Sequence, residues 1–338
     1  MTFNKNSIKS LLVGFLALLL SCLLCACGGE EKDAPLTQDG FTFVWVGDGY
    51  EVESYVGKET VVTVPAEING LPVISVGKRA FYKHETVRTV ILSDGITSVK
   101  EEAFASCPSL VGVNMPDTLL SLDTGVFKSC TALSKIRFSA ALSKISKDLF
   151  HGCSALTELS LPDQIAYIDD GAFQNCTSLS SVKLPKDTTY LGACFIGCIS
   201  LKTVTIPKNV RAIEPNTFWQ CRALADITFS DNVTVIGDGA FHACVSLQSV
   251  RFPRHLTKIG IGAFEDCTAL SSVTLFAITD SKGNPAPFYI EKNAFLGCSL
   301  LTTVHYNGTE AQFAALTVTE EGNGAFFATE ISYSNTQN

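Results

Sequence analysis

Phenylalanine recurs along most of the chain at a nearly constant spacing, usually after a small residue. The intervals between successive copies are 23, 23, 23, 23, 22, 23, 23, 23, 31 and 31 residues. The copies are Phe81, Phe104, Phe127, Phe150, Phe173, Phe195, Phe218, Phe241, Phe264, Phe295 and Phe326. A fixed period of about 20 to 50 residues is typical of a solenoid, in which each repeat forms one coil.

Other apolar positions keep fixed distances from each phenylalanine. The third residue after it is cysteine in nine copies, and the sixth is aliphatic in ten. The ninth and eleventh residues are apolar, as in Val204 and Ile206, and a proline such as Pro207 often follows. This alternation predicts a short half-buried strand, which the proline ends because it cannot donate to a β-ladder. Apolar residues such as Val210 and Ile213 complete the coil.

A single coil of this kind has no core of its own. Stacked coils bury phenylalanine on phenylalanine, cysteine on cysteine and leucine on leucine, which gives a continuous interior. Each buried Phe or Leu side chain contributes roughly 1.5–3 kcal/mol. At a strand spacing of about 4.8 Å, about ten stacked coils would be roughly 50 Å long.

The consensus L-x-x-V-x-I-P-x-x-V-x-x-I-G-x-x-A-F-x-x-C resembles the 23-residue leucine-rich repeat of the BspA type, also called the Treponema pallidum type. The resemblance covers approximately residues 40–335, and includes the family's usual segment before the first repeat (62–77) and its C-terminal cap (306–313). It implies a leucine-rich repeat solenoid, mainly β with short irregular or 3-10 turns and about ten stacked coils. We assign residues 41–76 to an N-terminal capping segment, 77–304 to the repeats and 305–338 to a C-terminal cap.

Within the repeats assigned to 77–304, two coils depart from the period. The coil between Phe173 and Phe195 is one residue short, and we expect a small local kink there. The coil between Phe264 and Phe295 carries eight extra residues, most simply 280–287. Insertions in solenoids often lie on the binding face, but a polar loop of Gly, Pro and Asn is also typical of a neutral insertion.

The N-terminus has the three zones of a secretory signal. Lys5 and Lys9 precede an apolar run over residues 11–24, which is too short for a transmembrane helix of about 20 residues. The sequence Leu24-Cys25-Ala26-Cys27 resembles a bacterial lipobox, which implies a signal peptide over 1–26, acylation of Cys27 and a polar tether over 27–40. A second match ends at Cys22, but cleavage there would leave two leucines on the mature protein. We therefore predict a lipid-anchored protein of the cell envelope, displayed at the cell surface.

Charge and cysteine usage narrow the function further. Without Lys5 and Lys9 the chain keeps 23 basic residues against 33 acidic ones, which argues against a nucleic-acid partner. Nine of the 13 cysteines occupy one position per coil, which does not supply a tetrahedral metal site. Export permits disulfides between neighbouring coils, but we favour buried reduced thiols because free cysteine packs as a small hydrophobe. We expect no metal and no cofactor.

A catalytic constellation is not evident in the sequence. The five histidines fall at four different positions of the repeat, and no hydrolase, metalloprotease, P-loop or dinucleotide motif occurs. His151 and His242 share one position but lie four coils apart, which places them about 19 Å from each other. Trp219 is a lone aromatic that we expect to be exposed. The sequence therefore predicts that the chain is not an enzyme.

The outward side chains of the predicted strands form the best candidate surface. They are the eighth and tenth residues after each phenylalanine, and they are mostly Ser and Thr with scattered cations. Such a face suits a protein or glycan partner, although Ser and Thr also simply fill exposed strand positions well. The candidate ligand-binding residues are Lys135, Arg137, Glu158, Ser160, Ser181, Lys183, Thr203 and Thr205.

Two functions fit these observations. Resemblance to BspA-like proteins implies a surface-anchored binding protein, an adhesin for host matrix or for other bacteria. The alternative is an architectural envelope lipoprotein that self-associates and has no external ligand.

Overall fold

The computed structural model describes residues 34–279, 281 and 286–334. The predicted signal peptide, Cys27 and most of the insertion at 280–287 lie outside these residues. Within them, no helix has both the length and the apolar character needed to cross a membrane.

The described chain is a β-solenoid of about 12 turns, which confirms the predicted fold class. Each repeat contributes one strand to each of two parallel ladders. The first ladder contains β4 (Val61–Val64), β7 (Thr89–Leu92), β9 (Gly112–Asn114), β11 (Lys135–Arg137), β13 (Glu158–Ser160), β15 (Ser181–Lys183), β17 (Thr203–Thr205), β19 (Asp226–Thr228), β21 (Ser249–Arg251), β23 (Ser272–Phe276), β25 (Thr303–Asn307) and β27 (Glu330–Tyr333). The second contains β6 (Leu71–Val76), β8 (Ser98–Val99), β10 (Ser121–Leu122), β12 (Lys144–Ile145), β14 (Tyr167–Ile168), β16 (Tyr190–Leu191), β18 (Ala212–Ile213), β20 (Val235–Ile236), β22 (Lys258–Ile259), β24 (Tyr289–Ile290) and β26 (Thr317–Val318).

Both caps extend the stack, which accounts for more turns than the ten predicted coils. At the N-terminus, β1 (Leu36–Gln38), β2 (Phe41–Trp45) and β3 (Tyr50–Tyr55) pair antiparallel, and β3 then joins β6 in parallel. A further short strand, β5 (Glu67–Ile68), pairs antiparallel with β6. At the C-terminus, β26 and β27 each add one strand to a ladder. The two described helices, α1 (Glu310–Ala314) and α2 (Gly324–Phe327), lie between β25 and β27.

The period of 23 residues sets the register of both ladders. Thr203 pairs with Asp226, and Ile213 pairs with Ile236. Equivalent residues of successive coils therefore form columns along the solenoid. The phenylalanine column runs from Phe81 to Phe326, with ring centroids 4.7–5.7 Å apart.

The cysteine column packs beside the phenylalanines. Each ladder thiol donates to the carbonyl oxygen of the phenylalanine in the preceding coil, as Cys153 does to Phe127 at 3.1 Å. The ten described cysteines are buried free thiols, as the sequence favoured. Burial disfavours the thiolate and raises the pKa of Cys176 to about 12. Cysteine therefore acts here as a small core residue that also carries a hydrogen-bond donor.

The turns between the ladders contain left-handed residues, two in most coils but only Gly197 around Phe195. They lie two residues before and two residues after the phenylalanine, as Asn216 (φ 60°) and Gln220 (φ 58°) do around Phe218. Asn tolerates this conformation better than most side chains, and glycine adopts it without steric cost, as at Gly239 (φ 60°). These residues bend the backbone tightly around the ring that the coil encloses.

Each ladder is interrupted at two places. The first is divided after β11 and after β19, and the second after β10 and after β16. The interruption after β16 falls in the coil that is one residue short. The phenylalanine column continues there, because Phe173 and Phe195 stack at 5.4 Å. The missing residue therefore disturbs a strand but not the core.

Candidate binding surface

The eight predicted ligand-binding residues lie on consecutive strands of the first ladder and are all exposed. Their register places them in two columns. Glu158 pairs with Ser181, and Ser160 pairs with Lys183. Thr203 continues the first column next to Ser181. Lys135 and Arg137 belong to β11, which pairs with the preceding strand β9.

A groove separates these two groups of residues. Strand β11 ends one sheet and β13 begins the next, and no backbone hydrogen bond joins them in the described part of the chain. The groove has a volume of about 500 Å³. Lys135 and Arg137 line one side, and Glu158 and Ser160 line the other. The floor includes Ile136, which points inward but is only half-buried. The surface thus combines opposite charges with an apolar floor.

The cause of the groove is local sequence. After β11 the usual aliphatic-proline pair is replaced by Phe138-Ser139. The Phe138 ring packs edge-on against Phe150 of the next coil, at 5.9 Å and 87°. The Ser139 hydroxyl accepts a hydrogen bond from the Ala141 amide at 3.1 Å. A larger ring at the end of the strand, followed by a turn held by serine, coincides with the loss of pairing to β13.

The same replacement occurs once more. Phe229-Ser230 follows β19, and the first ladder is interrupted there too. Phe229 packs on Phe241 with the same spacing of 5.9 Å and the same angle of 87°. By contrast, Phe252 precedes a proline, and its amide still donates to Thr274 at 3.0 Å in the next strand. The interruption therefore follows phenylalanine combined with serine, and not phenylalanine alone.

Arg137 is exposed, but its guanidinium already contacts other groups of the chain and is therefore less available to a ligand. Its guanidinium donates to the Met115 carbonyl at 2.7 Å and lies 3.5 Å from the Asp117 carboxylate. The sequence-predicted basic spot therefore depends mainly on Lys135 and Lys183, which flank Glu158 across neighbouring coils. Sequence reasoning did not identify Asp117, nor the groove itself.

The structure also corrects one expectation about aromatic residues. Trp219 is not a lone exposed side chain. It is half-buried and stacks on His242 of the next coil, with ring centroids 3.9 Å apart and an interplanar angle of 20°. Both residues follow a ladder phenylalanine by one position, so the shared register brings them together.

Comparison with known proteins identifies the family. The model of the BspA type leucine rich repeat region matches six copies over residues 74–194, 168–286 and 192–317. These ranges cover more than half of the chain, and the chain belongs to the BspA-type leucine-rich repeat family. No curated protein matches it in sequence.

Several solved structures are similar to this chain. The leucine rich repeat protein of T. pallidum is 26% identical, with 63% of this chain and 91% of that one covered and a TM-score of 0.48. A leucine rich cell surface protein from Faecalibacterium prausnitzii A2-165 is 21% identical, with 90% and 96% covered and a TM-score of 0.42. The pneumococcal vaccine antigen PcpA is 15% identical, with 90% and 99% covered and a TM-score of 0.45.

Proposed function

We propose that this chain is a lipid-anchored binding protein of the cell envelope, displayed at the cell surface, which holds a protein or glycan ligand on the β11–β17 face of the first ladder. The observation that carries the proposal is the groove between β11 and β13, where strand pairing within the β11–β17 face is interrupted. A regular ladder offers every ligand the same surface, whereas a groove with an apolar floor and charged walls offers a distinct one.

Charge is expected to contribute to recognition. Lys135 and Lys183 place two exposed ammonium groups on the coils before and after the coil of Glu158. Ser160, Ser181, Thr203 and Thr205 add hydroxyl groups that both donate and accept hydrogen bonds. A ligand with acidic groups and many hydroxyl or amide groups suits this face, and adhesion through such contacts would be weak per residue. Catalysis is not part of the proposal.

The proposed anchor is supported by the resemblance of residues 24–27 to a bacterial lipobox. Protease shaving of intact cells, followed by mass spectrometry of the released peptides, tests the location. Release of peptides from residues 40–335 while the cells stay sealed supports display at the surface. Protection of these peptides would contradict it and favour an architectural role inside the envelope.

Binding is tested with the purified chain on arrays of extracellular-matrix proteins and glycans. The double variant Lys135→Ala/Lys183→Ala should lose most of the binding, whereas Lys186→Ala/Lys208→Ala removes the same charge outside the first ladder and should not. Equal binding by both variants would show that the β11–β17 face is not the ligand-binding surface. A wild-type chain that binds no array component and self-associates in sedimentation experiments would support the architectural alternative.

A further inference from the structure

A cluster of metal-ligating side chains lies on the turns, away from the binding surface. His242, Glu265 and Asp266 each offer one ligand atom, and these atoms lie within 4.8 Å of one another. The His242 Nδ1 atom is 3.8 Å from the Glu265 carboxylate. The register of the repeat explains the cluster, because residues 242 and 265 occupy the same position in successive coils.

Backbone hydrogen bonds between successive coils hold the main chain beneath the cluster. The Gln220 amide donates to the His242 carbonyl at 2.8 Å, and the Ala243 amide donates to the Glu265 carbonyl at 2.8 Å. The Asp266 amide donates to the Leu296 carbonyl at 2.7 Å. The ligand side chains therefore project from a fixed frame, and only side-chain rotation is needed to bring their ligand atoms closer together.

Trp219 forms a wall on one side of the cluster. Its ring stacks on the His242 imidazole at 3.9 Å and covers Gly239, where a Cβ atom would lie 2.8 Å from the indole. Glu265 lies in the same way over Gly262, where a Cβ atom would be 2.8 Å from the carboxylate. Two glycines thus let the indole and the carboxylate lie against the backbone on either side of the imidazole. The stacked indole fixes the plane of the imidazole ring.

We propose that His242, Glu265 and Asp266 bind a divalent first-row transition-metal ion, with Zn²⁺ as the reference ion. One imidazole nitrogen and two carboxylate oxygens form a set of three protein ligands, which leaves a fourth position for water or for a ligand from outside. Zinc–ligand distances of about 2.0–2.2 Å place tetrahedral ligand atoms about 3.3 Å apart. The side chains must therefore close by about 1.5 Å, which rotation of the exposed Asp266 and half-buried Glu265 side chains can supply.

His151 provides an internal control. It occupies the same position of the repeat as His242, and its Nδ1 atom lies 3.5 Å from the Asp148 carboxylate. In the next coil, however, the residues equivalent to Glu265 and Asp266 are Gln174 and Asn175. Neutral amides bind Zn²⁺ much less well than carboxylates. The matched pair of histidines therefore separates a three-ligand site from a single histidine beside one carboxylate.

Calorimetric titration of the untagged chain with Zn²⁺ tests the proposal. One equivalent should bind, and His242→Phe, which keeps a stacked ring without nitrogen ligands, should weaken binding at least about tenfold. Glu265→Gln should also weaken it, and His151→Phe should not. Burial raises the pKa of the ladder thiols from Cys153 to Cys298, so these thiols should not compete in the native state.

Fluorescence gives a second readout that depends on position. The chain has two tryptophans, so Trp45→Phe leaves Trp219 as the sole source of tryptophan emission. Cu²⁺ bound beside His242 should quench this emission, and His242→Phe should abolish the saturable quenching. Absence of Zn²⁺ binding in the wild-type chain, or unchanged Zn²⁺ affinity in His242→Phe, would overturn the proposal.

Discussion

Two adjacent columns of side chains differ in how uniform their residues are from coil to coil. The phenylalanine column places the same ring in every coil from Phe81 to Phe326. One residue further along the chain, the next column changes from coil to coil. Its members are Tyr82, Ala105, Lys128, His151, Gln174, Ile196, Trp219, His242, Glu265, Leu296 and Phe327.

Packing explains the difference between the columns. A buried ring has an identical neighbour above and below, so any other side chain leaves a gap or a clash in two contacts at once. A side chain on the turns meets solvent on one side and tolerates exchange. In a solenoid the uniform buried columns therefore specify the fold. Candidate binding residues are found in the outer columns, where the side chain differs from coil to coil.

The largest effect is expected in the phenylalanine column. Phe195→Ala removes a fully buried ring from the middle of the stack, where Phe173 and Phe218 pack on both faces. We expect the free energy of unfolding to fall by about 3–5 kcal/mol, because the cavity cannot collapse between two rigid coils. Urea denaturation followed by circular dichroism measures this change.

Phe327→Ala is the matched control in the neighbouring column. Its side chain is 54% exposed at the end of the stack, and its removal should change stability by less than about 0.5 kcal/mol. Similar losses for the two variants would mean that the columns do not differ in energy as they do in sequence.

A pH effect of intermediate size is expected from the cysteine column. The ordinary thiol pKa is 9.0, and burial raises that of Cys176 to about 12 in the folded chain. Between these values the unfolded chain releases a proton that the folded chain keeps, so unfolding becomes easier as the pH rises. Each such thiol lowers the free energy of unfolding by up to about 1.4 kcal/mol per pH unit above pH 9.

Cys176→Ala isolates this contribution. The variant is expected to be less stable than the wild type at pH 8, because the side chain is smaller, yet to lose stability less steeply from pH 9 to pH 10. Denaturation at several pH values in this window measures the two slopes, with a reductant present throughout. Equal slopes would show that this thiol titrates normally in the folded chain.

The columns also explain how much of the fold the sequence predicts. The period identifies the buried phenylalanines, cysteines and leucines, because each of these positions needs a similar apolar side chain in every coil. It identifies the outward residues of β11 to β17 as well. It does not reveal that β11 and β13 separate, because pairing depends on how Phe138 and Ser139 pack against the next coil.

The cluster around His242 can be predicted in part from the sequence. Residues 219, 242 and 265 differ by 23 each, so aligning this outer column places Trp219, His242 and Glu265 side by side. Comparing only the histidines with one another relates His242 to His151, four coils away, and misses the carboxylates in the next coil. The side-chain rotations that bring the ligand atoms within 4.8 Å need the structure.

The smallest effect is expected at Gly112, in an outer column of the first ladder beside the groove. A Cβ atom there would meet only Lys135, at 3.5 Å from its carbonyl oxygen and 3.6 Å from its Cβ, which is ordinary contact. Gly112→Ala should raise the free energy of unfolding by about 0.4–1 kcal/mol, because it restricts the unfolded chain without straining the folded one.

Gly239→Ala provides the opposite case on the turns. Gly239 has a φ of +60°, and an added Cβ atom would lie 2.6 Å from the Asn216 side-chain oxygen as well as against Trp219. This variant should lose stability and shift the emission of Trp219, whereas Gly112→Ala should do neither. Equal destabilisation by the two alanines would contradict this contrast. It would mean that the first-ladder surface at Gly112 is packed as tightly as the turn at Gly239.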